Sequence, residues 1–191
     1  GYNIYKEPND ISIYNSLPKI VRKGFGYFAR KLPAQRGLNF IIRRSQDLEE
    51  RFIGNAFIFN TKERKELLKF KTTAPSANDI TKPFFNEVKD KDDVTKMQYL
   101  DLHLWMTGDI LLKADKMSMA NSLELRVPFL DKEIMKVAEK IPTKYRVTKS
   151  STKYAMRISA LKACPPQTAN KKKLGFPVPI RVWLKEDKYY D

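Results

Sequence analysis

Cysteine and histidine are almost missing from this 191-residue chain, with Cys164 and His103 the single examples of each. One cysteine forms no internal disulfide and suits a reducing compartment, so a cytoplasmic location is expected. With one histidine beside it, the chain falls short of the four ligands of an ordinary zinc site, and no metal centre is expected from it. The same scarcity leaves little room for a Cys-His nucleophilic pair, so any chemistry falls to lysines, carboxylates and backbone. Glycine is thin at seven residues, and the hairpin dipeptides Asn-Gly and Asp-Gly do not occur. Strict polar–apolar alternation is also short, which argues against an all-β chain. No run approaches the roughly 18 uninterrupted apolar residues of a membrane span. The opening Gly1-Tyr2-Asn3-Ile4-Tyr5 lacks the basic-then-apolar order of a signal peptide, and no membrane partner is expected. What is present is a 42% hydrophobic fraction, the composition of a folded chain, over a length that suits one domain or two small ones.

Acid is unevenly missing. The chain has 37 Lys+Arg against 22 Asp+Glu, a formal charge of +15. Residues 11–46 hold eight basic residues and no acid, and residues 140–185 hold twelve and no acid. Such blocks suit contact with phosphate on a nucleotide or a nucleic acid, or a solvated basic surface. A nucleic-acid module would interleave aromatics with its basic residues, yet Tyr154 is the one aromatic between Lys149 and Lys173. Nucleic acid is therefore the weaker reading.

Helical signals dominate, and a mainly α architecture packed in layers follows. Asn60 with Glu63 forms a capping-box pattern opening a helix over 61–70. Apolar residues Met97, Leu100, Leu104 and Trp105 fall at helical spacing over 94–106, with His103 expected in the core. Thr107 is placed to cap a second helix over 108–121. Asp131 caps a helix over 132–140, with Leu130 and Met135 spaced as a hydrophobic staple. Ser151 is expected to cap 152–164, which Pro165-Pro166 ends, leaving Cys164 in a packing role at the helix end. Pro179 suits the first turn of a last helix carrying Val182, Trp183 and Leu184. The polar stretch 71–93, with Pro75 and Pro83, reads as a mobile connection within an otherwise single unit, 1–191.

The chemically informative segment runs from Asp109 to Asp131. It sets Asp115 and Lys116 on an apolar helix, then Glu124 and Arg126 two apart on an extended stretch, where they share a face. Buried charges cost several kcal/mol unless paired, so these four are expected to satisfy one another or a ligand.

Residues 111–131 match the pattern L-x-x-x-D-[KR]-x-[ST]-M-A-x-x-L-E-x-R-x-P-F-L-D at every fixed position, from Leu111, Asp115 and Lys116 to Leu130 and Asp131. Lys173-Leu-Gly-Phe-Pro-Val-Pro-Ile180 matches K-x-G-F-x-V-P-I, with Trp183-Leu184 after it. These stretches resemble the C-terminal part of the synthetase domain of glutamine-hydrolysing asparagine synthetases. Gly1-Tyr2 resembles the end of that family's S-G-E-G-x-D-E-x-F-G-G-Y. The resemblance implies the helical C-terminal portion of an adenine-nucleotide alpha-hydrolase-like (PP-loop) synthetase, with the nucleotide-binding α/β part largely missing.

It further implies an ATP-dependent ligase: ATP and Mg²⁺ serve the full-length enzyme, aspartate is adenylated, and glutamine-derived ammonia gives asparagine. By the same resemblance Lys173 is the catalytic and ATP-binding lysine, Asp109 lines the same pocket, and Asp115, Lys116, Glu124, Arg126 and Asp131 form the pocket wall. Lys171 and Lys172 are left as surface. The family's phosphate loop S-G-G-x-D-S has no counterpart here, since Gly-Gly and Ser-Gly do not occur. The N-terminal glutaminase domain is likewise missing, so this chain alone is expected to bind no nucleotide and to be inactive. Two alternatives stay open: a related amide-forming enzyme of the β-lactam synthetase kind, and a non-catalytic basic nucleic-acid module. A homodimer is compatible with this reading.

Overall fold

The computed structural model describes residues 2–9, 13–32, 37–55, 58–59, 61–70, 72–172 and 178–189. It forms two compact units, Gly1–Tyr154 and Ala155–Asp191. Among the described residues there are helices and turns and no strand, as a mainly α reading requires.

The first unit opens with 3₁₀ turns at Asn3–Asn9 and Ile13–Ser16, followed by α1 (Lys19–Ala29) and α2 (Leu38–Ser45). These two helices pack closely because residue 26 has no side chain. A Cβ there would lie 1.9 Å from Ser45 Oγ. α3 (Leu48–Arg51) and α4 (Thr61–Leu67) follow; the Asn60 half of the box expected before α4 lies outside the described residues.

The expectation of a connection over 71–93 is overturned, because α5 (Ala77–Glu87) occupies its centre. Ser76 Oγ accepts from the Asp79 N–H at 3.2 Å, and the Ser76 N–H donates to the Asp79 carboxylate at 2.9 Å. This capping box starts the helix. Pro83 removes one ladder donor, yet Thr81 and Phe85 are buried beside it, and tertiary packing outweighs the proline.

α6 (Asp93–Leu100) carries the core residues Val94, Met97 and Leu100, the last two fully buried. Asp92 caps it through the Thr95 N–H at 3.1 Å and also accepts from the Thr143 hydroxyl at 2.8 Å. Burial alone would raise the Asp92 carboxyl, but the Thr95 and Thr143 bonds and Arg146 outweigh it and hold it below the usual range. The helix then continues as a π-helix, Asp101–Leu111, and runs into α7 (Leu112–Met119). The expected break at Thr107 is therefore corrected: its hydroxyl donates to the His103 carbonyl one turn back, so it does not cap a new helix. His103 is also misread as core. It is exposed, stacks on Tyr99 with ring centroids 4.1 Å apart, and its Nδ1 lies 2.9 Å from the Tyr99 carbonyl.

α7 closes in a Schellman turn. The Leu123 N–H reaches the Ser118 carbonyl at 2.9 Å and the Ser122 N–H reaches Met119 at 3.0 Å, with Ser122 at φ 55°. α8 (Lys132–Lys140) starts as expected at Asp131, whose carboxylate accepts the Glu133 N–H at 2.8 Å. After α9 (Thr143–Arg146), Val147 returns to the core beside Tyr5, Leu48, Phe52 and Phe85. Asn9 ties the two ends of the unit together by donating to the Val147 carbonyl at 3.1 Å. Ser151 does not cap the next helix; it closes a turn with Thr148, donating its N–H to the Thr148 hydroxyl at 2.9 Å.

α10 (Tyr154–Ala160) leads into the second unit, where α11 (Pro166–Ala169) and α12 (Ile180–Trp183) follow. Arg157 spans α10 and the end of α11, donating to the Ala169 carbonyl at 2.9 Å and the Lys171 carbonyl at 3.1 Å. Cys164 is exposed, against the expectation that it packs. Val182 of α12 and Leu184 just after it are also exposed.

Candidate functional site

The site begins in the π-helix, a geometry frequent at functional positions. Its first residue, Asp101, is 5% exposed and has no cation within ion-pair distance among the described residues. Neutral donors satisfy it: the Tyr5 hydroxyl, the Asn55 side-chain amide, and the Asn55 backbone N–H at 3.1 Å. Gly54, at φ 98°, adopts the left-handed backbone that leads into Asn55, a conformation a side chain would strain, while a Cβ there would make only ordinary contact with Asp101 Oδ1 at 3.5 Å. Burial pushes the Asp101 carboxyl above its ordinary range, partly offset by the Tyr5 and Asn55 bonds. Burial and the Asp101 charge push the Tyr5 phenol up as well.

Four residues on, the Trp105 indole N–H donates to the Tyr2 hydroxyl at 3.0 Å, and Tyr2 meets Tyr5 edge to face with centroids 6.0 Å apart. Four further on stands Asp109, half-buried, with Lys113 Nζ 3.3 Å from both carboxylate oxygens. One helix thus anchors the opening residues of the chain and carries the candidate Asp109.

The remaining sequence-derived residues are not gathered with Asp109. Asp115 and Lys116 are exposed on α7. Arg126 Nη2 and Glu124 Oε1 do pair, at 2.7 Å, but their side chains are 82% and 72% exposed, so the expected buried network is corrected to a surface pair. The apolar neighbours Leu123, Leu125, Val127 and Phe129 are exposed too, which leaves this stretch without a dry environment inside the chain. Asp131 serves as the α8 cap. Lys173 lies outside the described residues, as do its neighbours to Pro177. The last described residues before it are held by Arg157 through the Lys171 carbonyl.

Sequence reasoning missed Asp101, Asn55 and Arg157. Asp101 had a signal: a carboxylate inside an otherwise apolar helical stretch must find donors or a cation. Arg157 had none, because its partners are backbone carbonyls.

The asparagine synthase family profile matches residues 1–191. The chain is 48% identical over 188 residues to an asparagine synthetase (glutamine-hydrolysing) of Bacillus subtilis, covering 98% of this chain and 30% of that protein. It is 44% identical over 186 residues to a putative glutamine-hydrolysing asparagine synthetase of Mycobacterium bovis, covering 97% of this chain and 28% of that protein. A 56-residue stretch, 29% of this chain and 10% of the relative, is 43% identical to a putative counterpart from Methanocaldococcus jannaschii. No significant match exists among solved structures. The chain spans under a third of the length of the first two relatives, while the family profile runs through all 191 of its residues. This chain belongs to the asparagine synthase family.

Proposed function

We propose that this chain forms the C-terminal helical part of the synthetase domain of a glutamine-hydrolysing asparagine synthetase. The supporting observation is the family match over the whole chain, together with the complete motif at 111–131 and the K-x-G-F-x-V-P-I run at 173–180. In this reading the domain has a PP-loop fold whose nucleotide-binding α/β part lies in other residues of a full-length enzyme. ATP and aspartate meet there, the aspartate side chain is adenylated with loss of pyrophosphate, and ammonia from glutamine displaces AMP.

Lys173 places its ammonium beside the departing pyrophosphate, stabilising charge that develops in the transition state. Arg157 positions the backbone leading to it. Asp109, ion-paired with Lys113, is the candidate carboxylate that the family resemblance assigns to the synthetase pocket. Asp115, Lys116, Glu124, Arg126 and Asp131 are assigned to the pocket wall of a full-length enzyme by that resemblance alone. Among the described residues no group of three or more His, Cys, Asp or Glu side chains is arranged to hold a metal ion such as Mg²⁺. No described helix is long and apolar enough to cross a membrane.

The test compares a full-length enzyme carrying this chain with the 191 residues alone. With aspartate, ATP and ammonia, the full-length enzyme forms AMP and asparagine in equal amounts, and the 191 residues form neither, because no S-G-G-x-D-S loop positions the phosphates. Aspartate-dependent AMP from the 191 residues alone, or AMP that depends on another carboxylate in the full-length enzyme, overturns the reading.

A further inference from the structure

Away from the motif, the first unit contains a cleft of about 250 Å³ where the first turn of α1, the end of α2, α3 and the first turn of α6 meet. Lys19, Arg22, Arg44 and Arg51 line it, against the carboxylates Asp47 and Asp93. Four cations and two carboxylates leave the lining at +2. Asp47 is already engaged, by Lys19 at 2.7 Å and Lys23 at 3.8 Å. Behind the wall, Glu7 is shared by three guanidinium groups, those of Arg51 at 2.7 Å, Arg43 at 3.4 Å and Arg44 at 3.7 Å. The Arg44 and Arg51 side chains are 7% and 6% exposed, so this charge sits in protein and not in water. The Arg51 Nη1–Glu7 contact is an ion pair without hydrogen-bond geometry.

Arg22 has the least compensation. Among the described residues it has no carboxylate within ion-pair distance, its Nε is buried without an acceptor, and its Nη1 donates to the Arg44 carbonyl at 3.4 Å. A guanidinium with one long hydrogen bond and no carboxylate partner is short of compensating charge, and an anion in the cleft supplies it. The start of α1 adds to the positive potential: it follows Pro18, and no side chain caps its first-turn N–H groups.

We propose that this cleft binds a phosphate group. Guanidinium forks match phosphate oxygens in pairs, and Lys19 supplies a movable point charge. The volume equals about eight waters at roughly 30 Å³ each, enough for a hydrated oxyanion. Asp93, which has no ion pair among the described residues, keeps the site from being uniformly positive. The occupant is free phosphate or the phosphoryl end of a larger anion. Binding is read directly and does not depend on the synthetase reading above.

The test titrates inorganic phosphate into the full-length protein, followed by ³¹P NMR and calorimetry, with chloride matching the ionic strength. Saturable binding with a Kd of about 1 mM or tighter is expected. Arg22→Gln weakens it at least tenfold, Arg22→Lys retains part of it, and Lys162→Gln, in the second unit, leaves it unchanged. Lys19→Gln is the second lining variant and also weakens binding. Pyrophosphate and AMP are then read as the difference between wild type and Arg22→Gln, since only that difference reports this cleft. A larger difference for either than for phosphate identifies a phosphoryl compound as occupant, and no larger difference identifies free phosphate. Phosphate that behaves like chloride, or lining variants that bind as wild type does, overturn the proposal.

Discussion

The first unit treats its charges in two ways within thirty residues of sequence. At Asp101 a carboxylate is sealed beneath Tyr5 and Asn55, with every bond made to a neutral donor and none to a described cation. At Glu124 and Arg126 two opposite charges meet at 2.7 Å in open solvent, flanked by exposed Leu123, Leu125 and Phe129. The longest recognisable motif therefore covers a stretch, 111–131, in which no residue is buried. Most of the core residues of the unit, and Asp101, precede that motif, and Val147 rejoins them after it. On the proposed reading the motif faces the rest of a complete enzyme, whereas the bonds of Asp101 all lie within the first unit.

Substitutions separate the two regions. The largest effect is expected at Asp101. Asp101→Leu strands the Tyr5 hydroxyl and two Asn55 donors, costing about 3 kcal/mol or more in urea unfolding. Asp101→Asn keeps the shape and removes the charge, and its value lies in the pH dependence. Burial raises the folded-state carboxyl above its unfolded value near 3.9, so Asp101 adds stability below that value and loses it as pH rises through the folded one. The stability of wild type relative to Asp101→Asn should therefore fall as pH rises across that window, and a pH-independent gap would show that the site is wet.

Gly26→Ala comes next. Its Cβ would lie 2.3 Å from Ser45 Cβ, so α1 and α2 must separate, at about 2 kcal/mol, with part recovered by adding Ser45→Gly. Ser122→Gly relieves a left-handed serine in the α7 cap and should raise stability by about 0.5–1 kcal/mol. Smallest of all, Glu124→Gln should shift stability by less than about 0.5 kcal/mol, as exposed pairs do. A loss there as large as at Asp101 would erase the contrast between the two regions.

What was legible in the sequence follows the same division. Periodic apolar positions placed Met97 and Leu100 in the core, and Asp131 marked the start of α8, because burial stripes and caps are written in residues a few positions apart. The α5 helix was missed although Ser76 and Asp79 spell its capping box, because Pro83 and the polar surroundings hid Thr81 and Phe85, whose burial depends on distant partners. Thr107 has the residue type of a cap, but inside a continuous helix its hydroxyl bonds back to the His103 carbonyl four residues earlier. The exposure of Glu124 and Arg126 could not be read from their spacing: two residues on one face can pair equally well in a core or in water. For the candidate site, Asp109 lies on the same helix as the anchors of Tyr2 and Tyr5, while Lys173 rests on its motif.

The most direct measurement is aspartate-dependent pyrophosphate release by the full-length enzyme carrying Lys173→Ala, beside Lys171→Ala as its matched control. Turnover should fall at least 10²-fold for Lys173→Ala, roughly 3 kcal/mol of transition-state stabilisation, with Lys173→Arg recovering little. Glutamine hydrolysis should persist, and Lys171→Ala should stay near wild type. Equal, modest losses for the two alanine variants would contradict a special role for Lys173 and make residues 171–173 an ordinary basic surface.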